Sequence, residues 1–562
     1  MFSFLRQKFS PSFLQFLLNL AISFLCGLAF FLLFYGRYPL YITNVNWIYA
    51  SGLDVFQHQI GWEWFRQEPW HFPIGRIDAY GYPLGTTLSY MDSIPLLAIP
   101  FKLLSPLLKQ NFQYLGIWVL ASLIGQMLIG MLILGEFTTS YFKKILGASL
   151  LVLSPPLITW AFIHDSLTAQ WILLMAIWFI LLEYRHKLWR GAWILLFAVA
   201  MLIHPYFVAM LVPLWAISLF FRYKMGKYKW GLTVDVYSIF GVILLVGYCI
   251  GLFSLDLKYF AVRGFGDFSW NLNGFINPYQ FSSLLKSMPT GIDTQFAGFS
   301  YLGLGNLLIL PIALVLFLHK DRSRRQLFFT LPFMFVSILF SIFALSNRAF
   351  FNAQPLWDIQ LPARILVVFS LFRASGRFIW PVFYLLVLFG LISSIRNFRY
   401  ATPFLLLALI VQVIDLKPLY SSKKFAGFDD YQSTLKAEFW QVAARTNQHI
   451  VLIPVDISQF TYEPLALYAR LNQMTLNTGY FARANTGAME EYANQVWEDL
   501  KANRADNKTI YIFWGSKWEG LAKDNLSDHM LICQVDGYYI ALSANNTLAK
   551  TNFDLAHSCT FP

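Results

Sequence analysis

Long apolar runs alternate with short basic segments through the first three quarters of the chain. The runs begin at residues 13–35 and recur as far as residues 402–414, and most approach the roughly 18 residues that cross a bilayer. Basic segments stay on the cytoplasmic side of a membrane. About eleven crossings place every basic segment on one side. The pattern therefore predicts an all-α polytopic membrane domain of about 11 transmembrane helices with a cytoplasmic N-terminus.

One apolar run, residues 191–221, has basic segments at both of its ends. A single crossing would carry one of these segments to the outer side, against the charge rule. Pro205 stands inside the run, and proline interrupts a helix because it lacks the backbone N–H. The run is therefore predicted to form two helices that meet at His204 and Pro205.

From Asp415 onward the pattern changes to alternating strand-like and helix-like segments. This alternation is typical of a small α/β soluble domain. The predicted domains are residues 1–415, with an external loop at 37–111, and a periplasmic domain at 416–562. Cys533 and Cys559 lie in this second domain, where an oxidising compartment would allow them to form a disulfide.

Composition supports a membrane protein, since 57% of the residues are hydrophobic and only 13% are charged. Soluble domains carry about 25% charged residues. The net charge of +12 comes from the basic loops between apolar runs, so it indicates membrane topology and no nucleic-acid partner. No cysteine and histidine cluster has zinc-site spacing, and no metal ligands are assigned.

The external loop begins with an aromatic, acid-bearing segment, "GLDVFQHQIGWEWFRQEPWHFPIG". Residues 54–67 are predicted to form an amphipathic helix that lies in the membrane interface. Its apolar stripe contains Phe56, Ile60 and Trp64, and its polar stripe contains Asp54, Gln57, His58 and Gly61. Two interpretations of Asp54 remain open, a catalytic acid or an N-cap of this helix. Asp92, before a second amphipathic segment, is either a cap or a second candidate acid.

Further polar residues fall at the predicted outer ends of the spans. His164, Asp165 and His204 lie at two outer turns, where they are either structural or part of a shared cavity. The outer arginines are Arg263, Arg348, Arg364, Arg373 and Arg377. Arg373 and Arg377 stand four residues apart in "FRASGRFIW" and would share one side of a helix. They are expected to bind a phosphate, since the guanidinium offers a fork of donors, or else lipid headgroups.

The segments "GLDVFQHQIGWEWFRQEPW", "YPLGTTLSYMDSIPLLAIP" and "FRASGRFIWP", together with the many spans, resemble the GT-C class of membrane glycosyltransferases. The resemblance covers nearly the whole chain. It implies a catalytic base early in the first external loop, at the position of Asp54, and a polyprenyl-phosphate sugar as donor. Val55 follows Asp54, so the paired acids common in the class are absent. No cofactor is expected to be required, although a divalent metal is possible.

The function that follows is inverting transfer of a sugar from a polyprenyl-phosphate donor to a glycan or lipid acceptor, at the periplasmic face of the bacterial inner membrane. Asp54 is the expected base, with His58 orienting it and Asp92 as second acid. The donor phosphate is assigned to Arg373, Arg377, Arg364 and Arg348, and the substrate cavity to Gln57, His164, Asp165, His204 and Arg263. The alternatives are a transporter or flippase of a lipid-linked anion and a non-catalytic envelope-assembly scaffold. An acyl- or phospho-group transferase has no motif in its favour.

Overall fold

The computed structural model describes residues 11–185, 187–189, 191–226, 229–254, 264–319, 324–425, 431–455, 459–550 and 559–560. The chain divides into two compact units. The first unit consists of Met1–Asn44, Gln113–Leu244 and Val262–Gly427, and the second of Val45–Phe112, Leu245–Ala261 and Phe428–Pro562. This division differs from the predicted boundary at residue 415, because most of the external loop belongs to the same unit as the C-terminal residues.

Helices make up most of the described chain. In chain order they are α1 (Pro11–Tyr35), α2 (Asn46–Ser51), α3 (Leu53–Gln67), α4 (Pro95–Leu103), α5 (Leu115–Gly135), α6 (Tyr141–Val152), α7 (Pro155–Trp160), α8 (Trp171–Tyr184), α9 (Ala192–Ile203), α10 (Pro205–Lys224), α11 (Lys229–Cys249), α12 (Leu304–Leu318), α13 (Arg324–Leu345), α14 (Ala363–Ser370), α15 (Trp380–Asn397), α16 (Ala401–Asp415), α17 (Lys417–Ser422), α18 (Glu438–Thr446), α19 (Gln459–Leu471), α20 (Thr486–Lys501), α21 (Ser516–Leu526) and α22 (Thr547–Lys550).

Several of these helices can span a membrane. Within the described residues, seven helical stretches are long and apolar enough: Phe13–Tyr35, Leu115–Gly135, Asp165–Tyr184, Pro205–Lys224, Gly231–Cys249, Phe328–Leu345 and Ser375–Asn397. Three shorter apolar helices are α9, α12 and α16. The prediction of a mostly helical membrane protein is confirmed, whereas the count of eleven crossings stays a prediction.

The predicted break in the long apolar run is confirmed. Helix α9 ends at Ile203 and α10 begins at Pro205, with extended backbone at His204 between them. The Nδ1 atom of His204 accepts a hydrogen bond of 3.1 Å from the backbone N–H of Tyr206. Proline at the first helical position costs no hydrogen bond, and the imidazole caps the next free donor.

A buried ion network joins three helices of the first unit. Arg222 of α10 donates from Nε to Glu183 of α8 at 2.8 Å and also pairs with Asp235 of α11. All three side chains are nearly inaccessible to solvent. Charges in such a place are tolerated only when they are paired, so the network fixes the relative positions of these helices.

The described strands are all short, and the longest belong to the C-terminal sheet. They are β1 (Arg76–Ile77), β2 (Thr86–Thr87), β3 (Arg348–Phe351), β4 (Gln354–Asp358), β5 (His449–Ile453), β6 (Thr475–Leu476), β7 (Thr509–Phe513), β8 (Met530–Val535), β9 (Tyr538–Ser543) and β10 (Cys559–Thr560). The six-stranded sheet has the order β10-β8-β9-β7-β5-β6. Strand β5 is parallel to β6 and β7, while β7, β9, β8 and β10 pair antiparallel.

The C-terminal sheet confirms the predicted mixture of strands and helices. The segment "HMLICQVDGYYIAL" forms a hairpin, β8 and β9, around Asp536 and Gly537, which have φ of 47° and 84°. An Asp-Gly pair with positive φ at both residues is the favoured two-residue hairpin turn. Trp497 and Leu500 of α20 pack in one apolar core with residues of β5, β7 and β8. Cys533 is disulfide-bonded, and β10 places Cys559 opposite it in register.

Candidate functional site

Asp54 lies in the first turn of α3 and is not the N-cap. Gly52 occupies the cap position, and no side-chain capping hydrogen bond is present there. The Asp54 side chain is partly exposed. The helix prediction over residues 54–67 is therefore confirmed, whereas the capping interpretation of Asp54 is wrong. A carboxylate in the first turn is stabilised by the positive end of the helix dipole.

A second acid, Glu463 of α19, borders the start of α3. A Cβ added to Gly52, whose φ is +61°, would lie 3.3 Å from each carboxylate oxygen of Glu463. Burial raises the pKa of the neighbouring Tyr462 phenol, and the charges of Glu463 and Asp54 contribute to this shift. The second unit thus brings two carboxyl groups to one helix N-terminus. Sequence reasoning missed Glu463, because nothing in the local pattern of α19 distinguishes it from a surface acid.

Apart from the partly exposed Asp54, both stripes of α3 are buried, in contrast to the predicted interfacial helix. Phe56, Ile60 and His58 are fully inaccessible, and Gln57 is 2% exposed. Gly61 belongs to the polar stripe and has no side chain. A Cβ there would lie 2.5 Å from Met91 Cβ and from Ser93 Oγ. The glycine therefore allows the segment that carries Asp92 to pack directly on the helix.

Asp92 is held close to His58 in a strained turn. A carboxylate oxygen of Asp92 and a ring nitrogen of His58 lie within 4.8 Å of each other, and Ser93 Oγ donates to the backbone carbonyl of His58 at 2.8 Å. Asp92 and Ile94 have φ of 53° and 51°. Ile94, not Asp92, is the N-cap of α4, and it has no side-chain cap hydrogen bond, so the capping interpretation of Asp92 is also wrong. Left-handed backbone at a β-branched residue is costly and is concentrated at functional sites.

Glu63 anchors the other side of α3. Its carboxylate receives hydrogen bonds from Tyr49 and from Gln59 Nε2 (2.8 Å), and it pairs with Arg470 Nη2 at 2.8 Å. Glu63 and Arg470 are 1% and 3% exposed. Burial, together with the Glu63 charge, raises the pKa of the Tyr49 phenol well above its usual value. Three side chains of the protein thus bind the Glu63 carboxylate, which indicates a structural role.

Three side chains of the second unit that carry metal-ligating atoms lie close to one another. Ligand atoms of Glu68, His71 and Asp78 lie within 4.8 Å of one another. The Nε2 atom of His71 is 3.9 Å from Glu68 and 3.7 Å from Asp78. Asp78 also pairs with Arg76, which reduces the negative charge available to a cation. The trio could hold a divalent metal, and sequence reasoning assigned none of its members.

In the first unit, five side chains form a closed circle of contacts, which we call the Arg377 ring. Its members are Arg377, Trp160, His164, His204 and Tyr206. The guanidinium carbon of Arg377 lies 4.9 Å from the ring centroid of Trp160 and 5.3 Å from that of Tyr206. The rings of His164 and His204 are 5.4 Å apart, with His164 next to Trp160 (6.4 Å) and His204 next to Tyr206 (5.2 Å). The structure thus brings together three of the predicted residues, Arg377, His164 and His204.

The residues of the Arg377 ring lie near the ends of helices. Helix α7 ends at Trp160, α10 begins after His204, and α15 begins three residues after Arg377. The N-termini of α10 and α15 direct positive partial charge toward their own first residues. Because His204 Nδ1 accepts from the backbone, its neutral imidazole carries the proton on Nε2. The Arg377 guanidinium, the N–H group of His204 and two helix N-termini together form an environment suited to an anion.

Asp165 and Lys423 hold the turn that carries His164. Asp165 is fully buried, and its Oδ1 accepts from the backbone N–H of Phe162 at 3.0 Å. The Nζ atom of Lys423 donates to the carbonyls of Thr159 (2.6 Å) and Ala161 (3.1 Å), on either side of Trp160. Burial lowers the pKa of Lys423 to about 8, although Asp165 opposes the shift. Asp165 therefore shapes this turn, which differs from the cavity-lining role predicted for it.

Arg373 and Arg377 do not share one side of a helix. Ser375–Ile379 is a 3-10 turn, and Arg373 lies before it. Its guanidinium carbon is 5.6 Å from the ring of Phe268, a different partner from those of Arg377. Protein also fills the space at Gly376, since an added Cβ would lie 2.8 Å from Gly298 Cα.

The remaining predicted arginines are placed elsewhere or are not described. Arg348 in β3 forms ion pairs with Asp267 at 2.7 Å and Asp358 at 3.2 Å. Two carboxylates already satisfy this guanidinium, which disfavours it as a phosphate ligand. Arg364 is exposed on α14. Arg263 lies outside the described residues.

The structure thus defines a mostly helical membrane protein with a small C-terminal sheet, and the family comparison agrees with this two-part organisation. The chain belongs to the DUF6311 family. The model described as "Domain of unknown function (DUF6311)" matches residues 24–417, and the DUF6311 C-terminal domain matches residues 439–543. No curated protein matches the sequence.

Proposed function

We propose that this protein is an inverting membrane glycosyltransferase, which moves a sugar from a polyprenyl-phosphate donor to an envelope glycan or lipid acceptor. The observation that carries the proposal is the Arg377 ring. It combines a guanidinium, two imidazoles and two aromatic rings at the ends of apolar helices. This combination suits a lipid-linked phosphate, because a guanidinium binds the phosphate headgroup and apolar helices lie beside its chain.

The assigned chemistry is a single displacement at the anomeric carbon. The acceptor hydroxyl forms a new carbon–oxygen bond while the bond from the sugar to the phosphate oxygen breaks. Asp54 takes the proton of the hydroxyl, and the bond electrons leave with the polyprenyl phosphate. Arg377 stabilises the negative charge that develops on this leaving group. His58, Asp92 and Glu463 are further candidates for orienting the acceptor or for proton transfer.

Two observations support an extracytoplasmic location for the C-terminal residues. Cys533 is disulfide-bonded, and such bonds persist in oxidising compartments such as the bacterial periplasm. The distribution of basic loops along the sequence favours the same orientation. In this proposal the protein resides in the bacterial inner membrane and acts at its periplasmic face.

Asp54→Asn is expected to lower transfer at least a hundredfold, because an amide of the same shape cannot accept the proton. Transfer would be measured by mass spectrometry of lipid-linked sugars and envelope polymers, in cells whose own gene is deleted and replaced by the variant. Asp528→Asn is the matched control, since Asp528 is an exposed acid of the same unit, and it should retain wild-type transfer.

Glu463→Gln separates the two carboxyl groups near the start of α3. Full transfer by Asp54→Asn with loss of transfer in Glu463→Gln would assign the base to Glu463 instead. Full transfer by both variants would contradict a catalytic carboxylate at this helix and would favour the scaffold alternative.

A further inference from the structure

The second unit contains a polar pocket separate from the Arg377 ring. It opens to solvent, and its lining includes Arg76, Arg483, Thr86, Thr87, Tyr90 and Phe481. Two arginines contribute to the lining, and no acid does among the described residues.

Two threonine hydroxyls of this pocket are buried without a partner. Thr86 and Thr87 are 5% and 1% exposed, and neither hydroxyl forms a hydrogen bond with any described residue. A buried hydroxyl left unpaired costs about 1–3 kcal/mol. Both residues line the pocket, so a ligand with polar oxygens can satisfy groups that the protein leaves unsatisfied.

The arginines are fixed at the pocket by their own backbone contacts. Arg76 Nη2 donates to the carbonyl of Leu84 at 3.0 Å, while its Nε pairs with Asp78. Arg483 Nη1 donates to the carbonyl of Ala482 at 2.6 Å. Asp78 offsets part of the charge of Arg76. Side chains fixed in this way lose little entropy when they bind a ligand.

The pocket is connected to the helix that carries Asp54. Gln57 of α3 donates from Nε2 to the carbonyl of Tyr90 at 3.0 Å, and Ala482 N–H donates to the same carbonyl at 2.8 Å. Tyr90 forms part of the pocket wall and lies two residues before Asp92. Gln57 was predicted to line a substrate cavity, and the structure gives it the role of holding this wall.

We infer that this pocket binds an anionic saccharide, meaning a sugar that bears a phosphate or a carboxylate. The arginines match the anionic group, the threonine hydroxyls match sugar hydroxyls, and Phe481 and Tyr90 offer aromatic surface to the apolar face of the sugar. The identification of this saccharide with the acceptor rests on the proposed transferase function, whereas the binding itself does not.

The test measures binding to the full-length protein in detergent micelles by isothermal titration calorimetry. The probes are glucose 1-phosphate, glucuronic acid, glucose and inorganic phosphate. The wild type is expected to bind glucose 1-phosphate or glucuronic acid at least tenfold more tightly than glucose, and more tightly than inorganic phosphate. Arg483→Gln should lose at least tenfold in affinity for the anionic sugar, whereas Arg445→Gln, an exposed arginine on α18, should lose none.

Thr87→Val provides a second variant whose fold is not at risk. Replacing an unpaired buried hydroxyl with a methyl of similar size should maintain or raise thermal stability. The same replacement should lower the affinity for the anionic sugar several-fold. The inference is overturned if glucose binds as tightly as the anionic sugars, if inorganic phosphate binds as tightly as glucose 1-phosphate, if no probe binds, or if Thr87→Val binds normally. Because no outcome depends on sugar transfer, failure here is distinguishable from failure of the proposed enzyme activity.

Discussion

Replacing Arg377 with glutamine is expected to reduce sugar transfer about a hundred- to a thousandfold, the usual cost of removing one charge-stabilising donor at a reacting group. Arg377 contacts Trp160 and Tyr206, within the Arg377 ring at the helix ends of the first unit. Arg377→Lys retains the charge but loses the planar fork of donors, so transfer should fall to an intermediate level. The measurement is the amount of sugar-modified envelope polymer, determined by mass spectrometry in the gene-deleted strain that carries each variant.

Arg373→Gln is the matched control for this result. Arg373 lies four residues earlier but contacts Phe268, so its loss should reduce transfer much less than the loss of Arg377. A variant protein that accumulates in the membrane at wild-type level while transfer fails would locate the effect in chemistry or donor binding. The assignment is contradicted if Arg377→Gln transfers normally while Arg373→Gln does not.

Arg470→Met is expected to destabilise the packing of α3 and α19 by about 3–5 kcal/mol, because it leaves the Glu63 carboxylate buried and unpaired. The two charges are 2.8 Å apart and almost inaccessible to solvent. Hydrogen–deuterium exchange in α3 and α19 measures this local opening directly. About 1.4 kcal/mol corresponds to a factor of ten. The protection factors should therefore be reduced by a factor of roughly a hundred to a few thousand.

Two further variants serve as controls for the Arg470→Met result. Arg504→Met removes an exposed arginine that pairs with Asp499 at 2.6 Å, and such surface pairs contribute about 1 kcal/mol or less. The double variant Glu63→Gln with Arg470→Met should recover much of the lost protection, because no buried charge remains. If Arg470→Met and Arg504→Met lose protection equally, Glu63 is not dependent on its buried partner.

The helices and turns that depend on local sequence could be predicted. The apolar run at 191–221 contained both a proline and basic segments at its two ends, and it breaks at His204 as expected. The Asp-Gly pair at residues 536 and 537 is a hairpin-turn signal in the sequence, and both residues have positive φ in the turn between β8 and β9. The grouping of residues 45–112 with the C-terminal residues depends on long-range packing, which periodicity does not record.

The candidate site was only partly accessible for the same reason. His164, His204 and Arg377 were identified because charged and polar residues beside apolar runs are conspicuous. Trp160 and Tyr206, which join them, resemble ordinary membrane aromatics until the structure shows what they contact. The capping interpretations of Asp54 and Asp92 failed because Gly52 and Ile94 occupy the cap positions, a matter of backbone dihedral angles that residue type alone does not determine.

The central claim, sugar transfer from a polyprenyl-phosphate donor, is tested most directly by comparing the lipid-linked sugars and surface polymers of cells with and without the gene. We expect the deleted strain to accumulate one polyprenyl-phosphate sugar and to lose that same sugar from one envelope polymer, and the wild-type gene to restore both. Unchanged lipid-linked sugars together with unchanged polymers, under conditions in which the protein is made, would contradict the account.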